Sequence, residues 1–279
     1  MMRHFPANLV SLEGDPPRTS SDIPSQPQLR PAIAMTEHIE VFPDRAAMLE
    51  RAFALTLEAL QAAIDTNGRA TIALAGGSTP KPLYEKLATV NLPWEKLFVF
   101  WGDERYVPID DPNSNAGMAK AAWLDRVEIP ESNIFITPTD GNDPTADADR
   151  FDATVREFFQ LEGDALPVFD VVLLGMGDDG HTASLFPHTD ALDVSDRCAT
   201  LGEKSGEPRL TLTFPVIKSA ANIMLTIAGA NKQNALAAIF AETCDDRQYP
   251  SRRLRSASGE LWWLLDADAA IDSAQIADA

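Results

Sequence analysis

The chain is short of positive charge, and this shortage limits what it can bind. It has 23 Lys and Arg residues against 42 Asp and Glu residues, which gives a formal net charge of −19. Such an excess of negative charge argues against nucleic acid and against an anionic membrane surface as partners. If the ligand is itself an anion, the few arginines and lysines must converge on one place to hold it.

Long apolar segments and cysteines are also scarce. No apolar run approaches the roughly 20 residues that a membrane-spanning helix needs, and the N-terminus lacks the hydrophobic centre of a secretory signal. We therefore expect a cytoplasmic protein without a membrane partner. The two cysteines, Cys198 and Cys244, have no metal-ligand spacing, and a disulfide scaffold is not expected in a chain of this length and compartment.

The first 34 residues contain six prolines and no hydrophobic periodicity, which predicts a disordered tail over residues 1–34. The segment that starts at Met35 leads straight into a strand, so Met35 is an alternative translation start. Mass spectrometry of the native protein would reject this alternative if it found residues before Met35. No internal repeat or linker interrupts the remaining sequence, and we expect residues 35–279 to form one domain.

After the tail, short apolar runs typical of strands alternate with segments of helical periodicity. This alternation predicts an α/β fold with a mostly parallel sheet covered by helices on both faces. Ligands of such sheets bind beyond the carboxyl ends of the strands. The predicted strands cover residues 39–42, 71–75, 97–101, 134–136, 169–174, 209–214, 222–227 and 260–265, and the predicted helices cover residues 44–67, 80–87, 114–124, 144–161 and 230–242.

The strand predicted at 169–174 is followed by Gly175-Met-Gly-Asp-Asp-Gly-His-Thr-Ala-Ser184. The three glycines also fit the dinucleotide-binding pattern G-x-G-x-x-G, which requires a helix that continues from the third glycine. Asp178 and Asp179 would place negative charge against the phosphates of a dinucleotide, and Pro187 would cut such a helix short. We therefore do not expect a nucleotide cofactor in this loop.

The same loop contains His181, one of only four histidines in the chain. Imidazole titrates near neutral pH and can take a proton from water at low cost, while Asp179 could fix its tautomer or align a substrate. A histidine that merely caps a turn is the alternative. The glycine-rich setting, between two carboxylates and a hydroxyl-rich turn, favours a catalytic role.

Two other predicted strand ends also carry polar loops. Gly76-Gly-Ser-Thr-Pro80 offers backbone N–H groups and hydroxyls that suit a phosphate, although an ordinary capped turn is an equal alternative. In Trp101-Gly-Asp-Glu-Arg-Tyr106, Arg105 can offer a planar fork to an anion, while Asp103 and Glu104 could orient it or bind hydroxyls. Arg209 and Lys232 are further cations at element starts. A solvated surface charge is the alternative for each of these cations.

Together these loops resemble the 6-phosphogluconolactonases, which hydrolyse 6-phosphogluconolactone in the pentose phosphate pathway. The resemblance spans roughly residues 38 to 270. The motifs that carry it, each modest alone and specific in this order, are Leu74–Pro80, Trp101–Arg105, Asn113–Asn115, Leu174–Pro187, Arg209–Thr213 and Leu261–Asp266.

The resemblance implies a Rossmann-like single domain without cofactor or metal, with His181 as general base beside Asp179. It also implies a phosphorylated sugar lactone as substrate, and we expect the protein to be a monomer or small homo-oligomer. Glucosamine-6-phosphate deaminases have a similar loop that continues to a glutamate, but Phe186 stands at the corresponding position here. A non-catalytic sugar-phosphate sensor remains a third alternative. The expected substrate- or phosphate-binding residues are Gly76, Gly77, Ser78, Thr79, Asp103, Arg105, Thr182, Arg209 and Lys232.

Overall fold

A computed structural model of the protein describes residues 36–271. Six parallel strands form its main sheet in the order β1-β9-β8-β5-β2-β3, and three antiparallel strands form a small sheet in the order β4-β7-β6. The strands are β1 (Thr36–Phe42), β2 (Ala70–Leu74), β3 (Leu97–Trp101), β4 (Asp103–Arg105), β5 (Val171–Leu174), β6 (Ala199–Lys204), β7 (Glu207–Leu212), β8 (Asn222–Ile227) and β9 (Glu260–Asp266).

Helices cover both faces of the main sheet, because successive residues of its strands alternate between two apolar cores. Ile72 and Leu74 of β2 pack with the first three helices, whereas Ala73, between them, packs with the last three. This arrangement confirms the predicted α/β class. The helices are α1 (Arg45–Asn67), α2 (Lys81–Leu87), α3 (Asn115–Ala122), α4 (Pro144–Phe159), α5 (Phe214–Lys218) and α6 (Gln233–Phe240). Within residues 36–271, no helix is both long and apolar enough to cross a membrane.

Local signals in the sequence explain where the longest helix begins and ends. Asp44 accepts a hydrogen bond from the backbone N–H of Ala47 at 2.8 Å, and this contact caps the first turn of α1. Gly68 ends the helix with φ of +75°, and its N–H donates to the carbonyl of Ile64. The predicted start and stop of this helix are therefore confirmed.

Several predicted elements differ from the structure. Residues 134–136 do not form a strand, because Ile134 makes only an isolated bridge to Val99 at the edge of the sheet. The strand predicted at 209–214 is β7, which lies in the small sheet. The helix predicted at 230–242 is a short 3-10 turn, Ala230–Lys232, followed by α6. The predictions for residues 1–34 and Met35 fall outside the described residues.

The order of the strands gives the sheet a switch point at its carboxyl edge, where sheets of this kind have their ligand crevice. From β2 the chain passes through α2 to β3 on one side, whereas from β5 it passes to β8 on the other side. The loops that leave β2 and β5 therefore diverge from two neighbouring strands. Parallel sheets bind ligands at such a switch point.

Candidate active site

The loop Gly175–Ser184 leaves β5 at the switch point and folds back on itself. The N–H of Gly177 donates to the carbonyl of His181 at 2.8 Å, and the N–H of Gly180 donates to the carbonyl of Gly177 at 3.2 Å. Gly180 has φ of +78°, a conformation that favours glycine. No helix continues from this third glycine, so the loop does not have the geometry that the dinucleotide pattern requires.

Asp179 and His181 form a close pair in this loop. Nδ1 of His181 lies 2.5 Å from Oδ1 of Asp179, which also accepts the backbone N–H of His181 at 3.1 Å. The side chain of Asp179 is 39% exposed and that of His181 is 19% exposed. Burial opposes ionisation of Asp179, but the hydrogen bonds from His181 outweigh it and lower the pKa of this carboxyl to about 2. An ionised acceptor at Nδ1 keeps the proton on that nitrogen, so the lone pair of the neutral ring lies on Nε2.

Phe186 packs against the histidine ring. The two ring centroids are 4.4 Å apart with an interplanar angle of 45°, and Phe186 itself is buried. The imidazole is thus held in its plane by Asp179 and against one side by an aromatic ring. This arrangement suits a proton acceptor of fixed orientation.

The two hydroxyls that follow His181 are buried and engaged within the protein. Thr182 donates to the carbonyl of Gly175 at 2.9 Å, so its side chain holds the loop closed instead of lining the crevice. Ser184 donates to Oδ2 of Asp103 at 2.6 Å. With its hydroxyl buried and bonded to a carboxylate, Ser184 is not placed as a nucleophile.

Arg105 and Arg209 lie directly opposite each other where β4 pairs with β7. Arg105 donates to the carbonyl of Asn113 at 2.6 Å, and Arg209 lies 3.5 Å from the carboxylate of Glu207. Both Nε atoms are buried without a hydrogen-bond partner among residues 36–271. Like charges directly opposed across a strand pair repel each other, so an anion between the two would satisfy both the charge and the donors.

Glu104 sits between the two polar residues of β4 and acts as a cap for α3. Its buried carboxylate accepts four hydrogen bonds at 2.7–3.2 Å. Burial raises the pKa of Glu104, and the backbone N–H donors oppose that shift. The alternative that Glu104 binds substrate hydroxyls is not supported by this position. The four donors are the backbone N–H groups of Arg105, Asn115 and Ala116 and the hydroxyl of Ser114.

Asn115 connects β4 with the loop that follows β2. Its Nδ2 donates to the carbonyl of Asp103 at 2.8 Å, and its Oδ1 would lie only 1.8 Å from a Cβ placed on Gly76. Gly76 therefore permits a close approach that no other residue allows. The sequence places Asn115 in the motif Asn113–Asn115 but does not predict it as a site residue, because nothing local indicates that it meets a residue 39 positions earlier.

The loop Gly76–Pro80 presents its polar groups outward. Gly77 has φ of +92°, and Ser78 is exposed. The helix α2 begins at Lys81 without a side-chain cap, and neither Ser78 nor Thr79 makes a side-chain hydrogen bond among the described residues. The alternative that these hydroxyls merely cap the helix is therefore not supported.

Lys232 is the last residue of the 3-10 turn after β8 and is half-buried. It lies on the same carboxyl edge as His181, but no contact joins it to the arginine pair within residues 36–271. In the same range, no group of three or more His, Cys, Asp or Glu residues is arranged to hold a metal ion.

A histidine–carboxylate pair at the switch point of a parallel sheet, beside a cluster of polar loops, is the arrangement of an α/β enzyme. The chain belongs to the family of glucosamine-6-phosphate isomerases and 6-phosphogluconolactonases, whose model matches residues 43–263.

Individual relatives of the chain are 6-phosphogluconolactonases. The chain is 54% identical over 235 residues to a 6-phosphogluconolactonase of Nostoc sp. and 52% identical over 235 residues to one of Synechocystis sp.. Each match covers 84% of this chain and 98% of the relative. The structure is also similar to that of the 6-phosphogluconolactonase from Trypanosoma brucei, with a TM-score of 0.75, 32% identity, and coverage of 84% of this chain and 98% of that one.

Proposed function

We propose that this protein is a 6-phosphogluconolactonase, which hydrolyses 6-phospho-D-glucono-1,5-lactone to 6-phospho-D-gluconate in the oxidative branch of the pentose phosphate pathway. The observation that carries the proposal is the Asp179–His181 pair, 2.5 Å apart at the switch point of the sheet. The relatives that bear this name match the chain over nearly their whole length, which supports the same substrate here.

In the proposed mechanism, His181 is the general base. Its Nε2 takes one proton from a water molecule while the water oxygen bonds to the lactone carbonyl carbon, which becomes tetrahedral as the electron pair of the C=O π bond moves to the carbonyl oxygen and makes it an oxyanion. When the intermediate collapses, the bond to the ring oxygen breaks and this oxygen leaves with the proton from the imidazolium. Asp179 stabilises the transient positive charge on His181. A lactone is an activated ester, so neither a metal nor a covalent intermediate is required.

The phosphate of the substrate needs positive charge in an acidic protein. Arg105 and Arg209 supply it from neighbouring positions on β4 and β7, with two buried donors that lack partners within residues 36–271. The loop Gly76–Thr79 contributes outward-facing backbone and hydroxyl groups, and Lys232 contributes a third cation from the end of β8. Asp103, at the rim of the same crevice, is the proposed acceptor for a sugar hydroxyl.

The alternative of an aminosugar isomerase receives less support. That chemistry would use a further carboxylate close to the histidine, whereas the buried ring of Phe186 occupies the side of His181. A sugar-phosphate sensor without catalysis would not need the oriented base that the Asp179–His181 pair provides.

We also propose that residues 35–279 act as one domain in the cytoplasm, as a monomer or small homo-oligomer. The two apolar cores share one sheet, which supports a single folding unit. A variant that starts at Met35 should retain the activity of the full chain, and size-exclusion chromatography with light scattering should give one to a few copies. Loss of activity on removing residues 1–34 would contradict this organisation.

The function is tested with freshly prepared 6-phosphogluconolactone, whose hydrolysis releases acid. The purified protein should accelerate hydrolysis above the spontaneous rate, and dialysis against EDTA should leave that rate unchanged. His181→Ala should abolish the acceleration. His188→Ala is the matched control, because His188 contacts Gln248 and not the crevice pair. An inactive wild type, or full activity in His181→Ala, would overturn the proposal, and ammonia release from glucosamine 6-phosphate would favour the isomerase.

A further inference from the structure

We infer that Ser184 is a positioning residue, which fixes the carboxylate of Asp103 so that its second oxygen can accept a hydroxyl of the sugar. The inference rests on the proposed function and adds a role for a residue outside the catalytic pair. Ser184 ends the loop that contains His181, whereas Asp103 begins the strand that contains Arg105. Their contact therefore joins the two halves of the site across 81 positions of sequence.

The geometry of this contact fixes the carboxylate. Ser184 is fully buried, and its Oγ donates to Oδ2 of Asp103 at 2.6 Å, which is in the range of charge-assisted bonds from a hydroxyl to a carboxylate. A carboxylate with one oxygen tied down can no longer rotate freely, so Oδ1 keeps a constant direction at the half-buried rim. Ordering Asp103 before the substrate arrives removes an entropic cost from binding.

Ser184 is itself held from two sides. Its backbone N–H donates to Oγ1 of Thr211, which lies opposite Asp103 in the small sheet. On the other side, a Cβ on Gly202 would lie 2.4 Å from the carbonyl oxygen of Ser184, so β6 packs directly on the backbone at this point. The small sheet thus fixes both the donor and the acceptor of the Ser184–Asp103 bond.

The backbone is strained at the residue that precedes Ser184. Ala183, the residue before Ser184, has φ of +48°, a left-handed conformation that is unfavourable for alanine. It lies in a tight turn closed by the N–H of Leu185, which donates to the carbonyl of Thr182 at 3.0 Å. Strained backbone persists where surrounding contacts determine it, and such positions cluster at functional sites.

A double-mutant cycle with Asp103 tests this role. Ser184→Ala should raise KM for the lactone by about 10- to 100-fold with little change in kcat, because a hydrogen bond to a charged group is lost and ground-state binding weakens. In the Asp103→Asn background the same substitution should change KM less than about threefold, because Ser184 acts through the carboxylate. Ser184→Cys, with a weaker donor of similar shape, should fall between wild type and Ser184→Ala.

Ser219→Ala is the matched control for the loss of a serine hydrogen bond outside the site. Ser219 also donates a 2.6 Å hydrogen bond, to the carbonyl of Pro167, but it precedes β8 at the opposite edge of the sheet. Its loss should leave KM unchanged. The inference would be overturned if Ser184→Ala raised KM by the same factor in the wild-type and Asp103→Asn backgrounds. It would also be overturned if both Ser184→Cys and Ser184→Ala had the KM of the wild type. An inactive wild type would instead overturn the proposed function and this inference with it.

Discussion

Arg105 and Arg209 face each other across β4 and β7, two like charges at directly opposed positions of a three-stranded sheet. Each guanidinium has a buried Nε without a partner among residues 36–271. Sheets ordinarily avoid like charges in this register because they repel. In a chain with a net charge of −19, this pair of cations is where we propose that the anionic group of the substrate binds.

Removal of either arginine should therefore weaken substrate binding without weakening the fold. For Arg105→Ala and for Arg209→Ala we expect KM for 6-phosphogluconolactone to rise by about 10- to 100-fold, as for other lost hydrogen bonds between charged groups. The free energy of unfolding without ligand should change by no more than about 0.5 kcal/mol, because the repulsion between the two is relieved. Steady-state kinetics and urea unfolding measure the two quantities.

Arg126→Ala is the control for this pair. Arg126 also donates to a single backbone carbonyl, that of Ala122, but it lies in the turn after α3 and faces no second arginine in the register of the described sheets. Its KM should match the wild type. If Arg105→Ala and Arg209→Ala unfold at clearly lower urea concentration while KM stays constant, the pair is structural and the anion site lies elsewhere.

Asp179→Asn should reduce kcat by about 10²- to 10⁴-fold. The amide can donate a hydrogen bond to Nδ1 of His181, which favours the tautomer that carries its proton on Nε2 and blocks the base. Asp178→Asn removes the same charge from the adjacent exposed residue, which makes no bond to His181, and should keep most of the activity. Equal losses in the two variants would show that charge, and not the tautomer, is responsible.

The same carboxylate gives a pH dependence of stability with a definite sign. The pKa of Asp179 is lowered from 3.8 to about 2, so its ionised form stabilises the folded state. This contribution is complete above about pH 4 and is lost as the pH falls towards 2. Because the side chain is 39% exposed, solvent screening limits it to below about 1 kcal/mol. Urea unfolding measured from about pH 6 to pH 2 should show that the free energies of unfolding of Asp179→Asn and wild type converge between about pH 4 and pH 2. A difference that stays constant over this range would contradict the assignment.

The sequence predicted the main sheet well because its strands carry strong local patterns. The strands at residues 97–101 and 222–227 were predicted with their observed bounds, since each is a short segment made mostly of apolar residues. The small sheet was mostly missed. Strand β4 has three polar or charged residues and no periodicity of its own, and it becomes a strand only because β7, about 100 positions later, pairs with it.

The contacts of the site also fall into two groups, those between residues close in sequence and those between residues far apart in sequence. Asp179 and His181 are two positions apart, so their pairing could be anticipated from one loop. Ser184 and Asp103 are separated by 81 positions, and their contact depends on how the small sheet packs against the loop after β5. Thr182 was expected to bind substrate from its place in the motif, but its buried hydroxyl bonds to Gly175.

Glu104→Gln should destabilise the fold by about 2–4 kcal/mol. Each oxygen of Glu104 accepts two hydrogen bonds, and an amide would turn an NH₂ group towards two of these donors and leave them unpaired. Glu131→Gln is the control, because that carboxylate is 75% exposed and, within residues 36–271, pairs only with Lys120. Urea unfolding measures both, and a change below about 0.5 kcal/mol in Glu104→Gln would contradict the capping role.

Gly177→Ala should inactivate the enzyme while leaving it folded. A Cβ at this position would lie 2.1 Å from Nδ1 of His181 and 2.4 Å from Oδ1 of Asp179, so the pair must move apart. A displacement of about 1 Å can cost about 10²-fold in rate, and we expect kcat to fall by at least that factor. Gly175→Ala, in the same loop, is the matched control, because a Cβ there meets no atom within 4 Å. Comparable kcat values for the two alanine variants, with circular dichroism confirming that both are folded, would show that the close pairing of Asp179 and His181 does not limit the reaction.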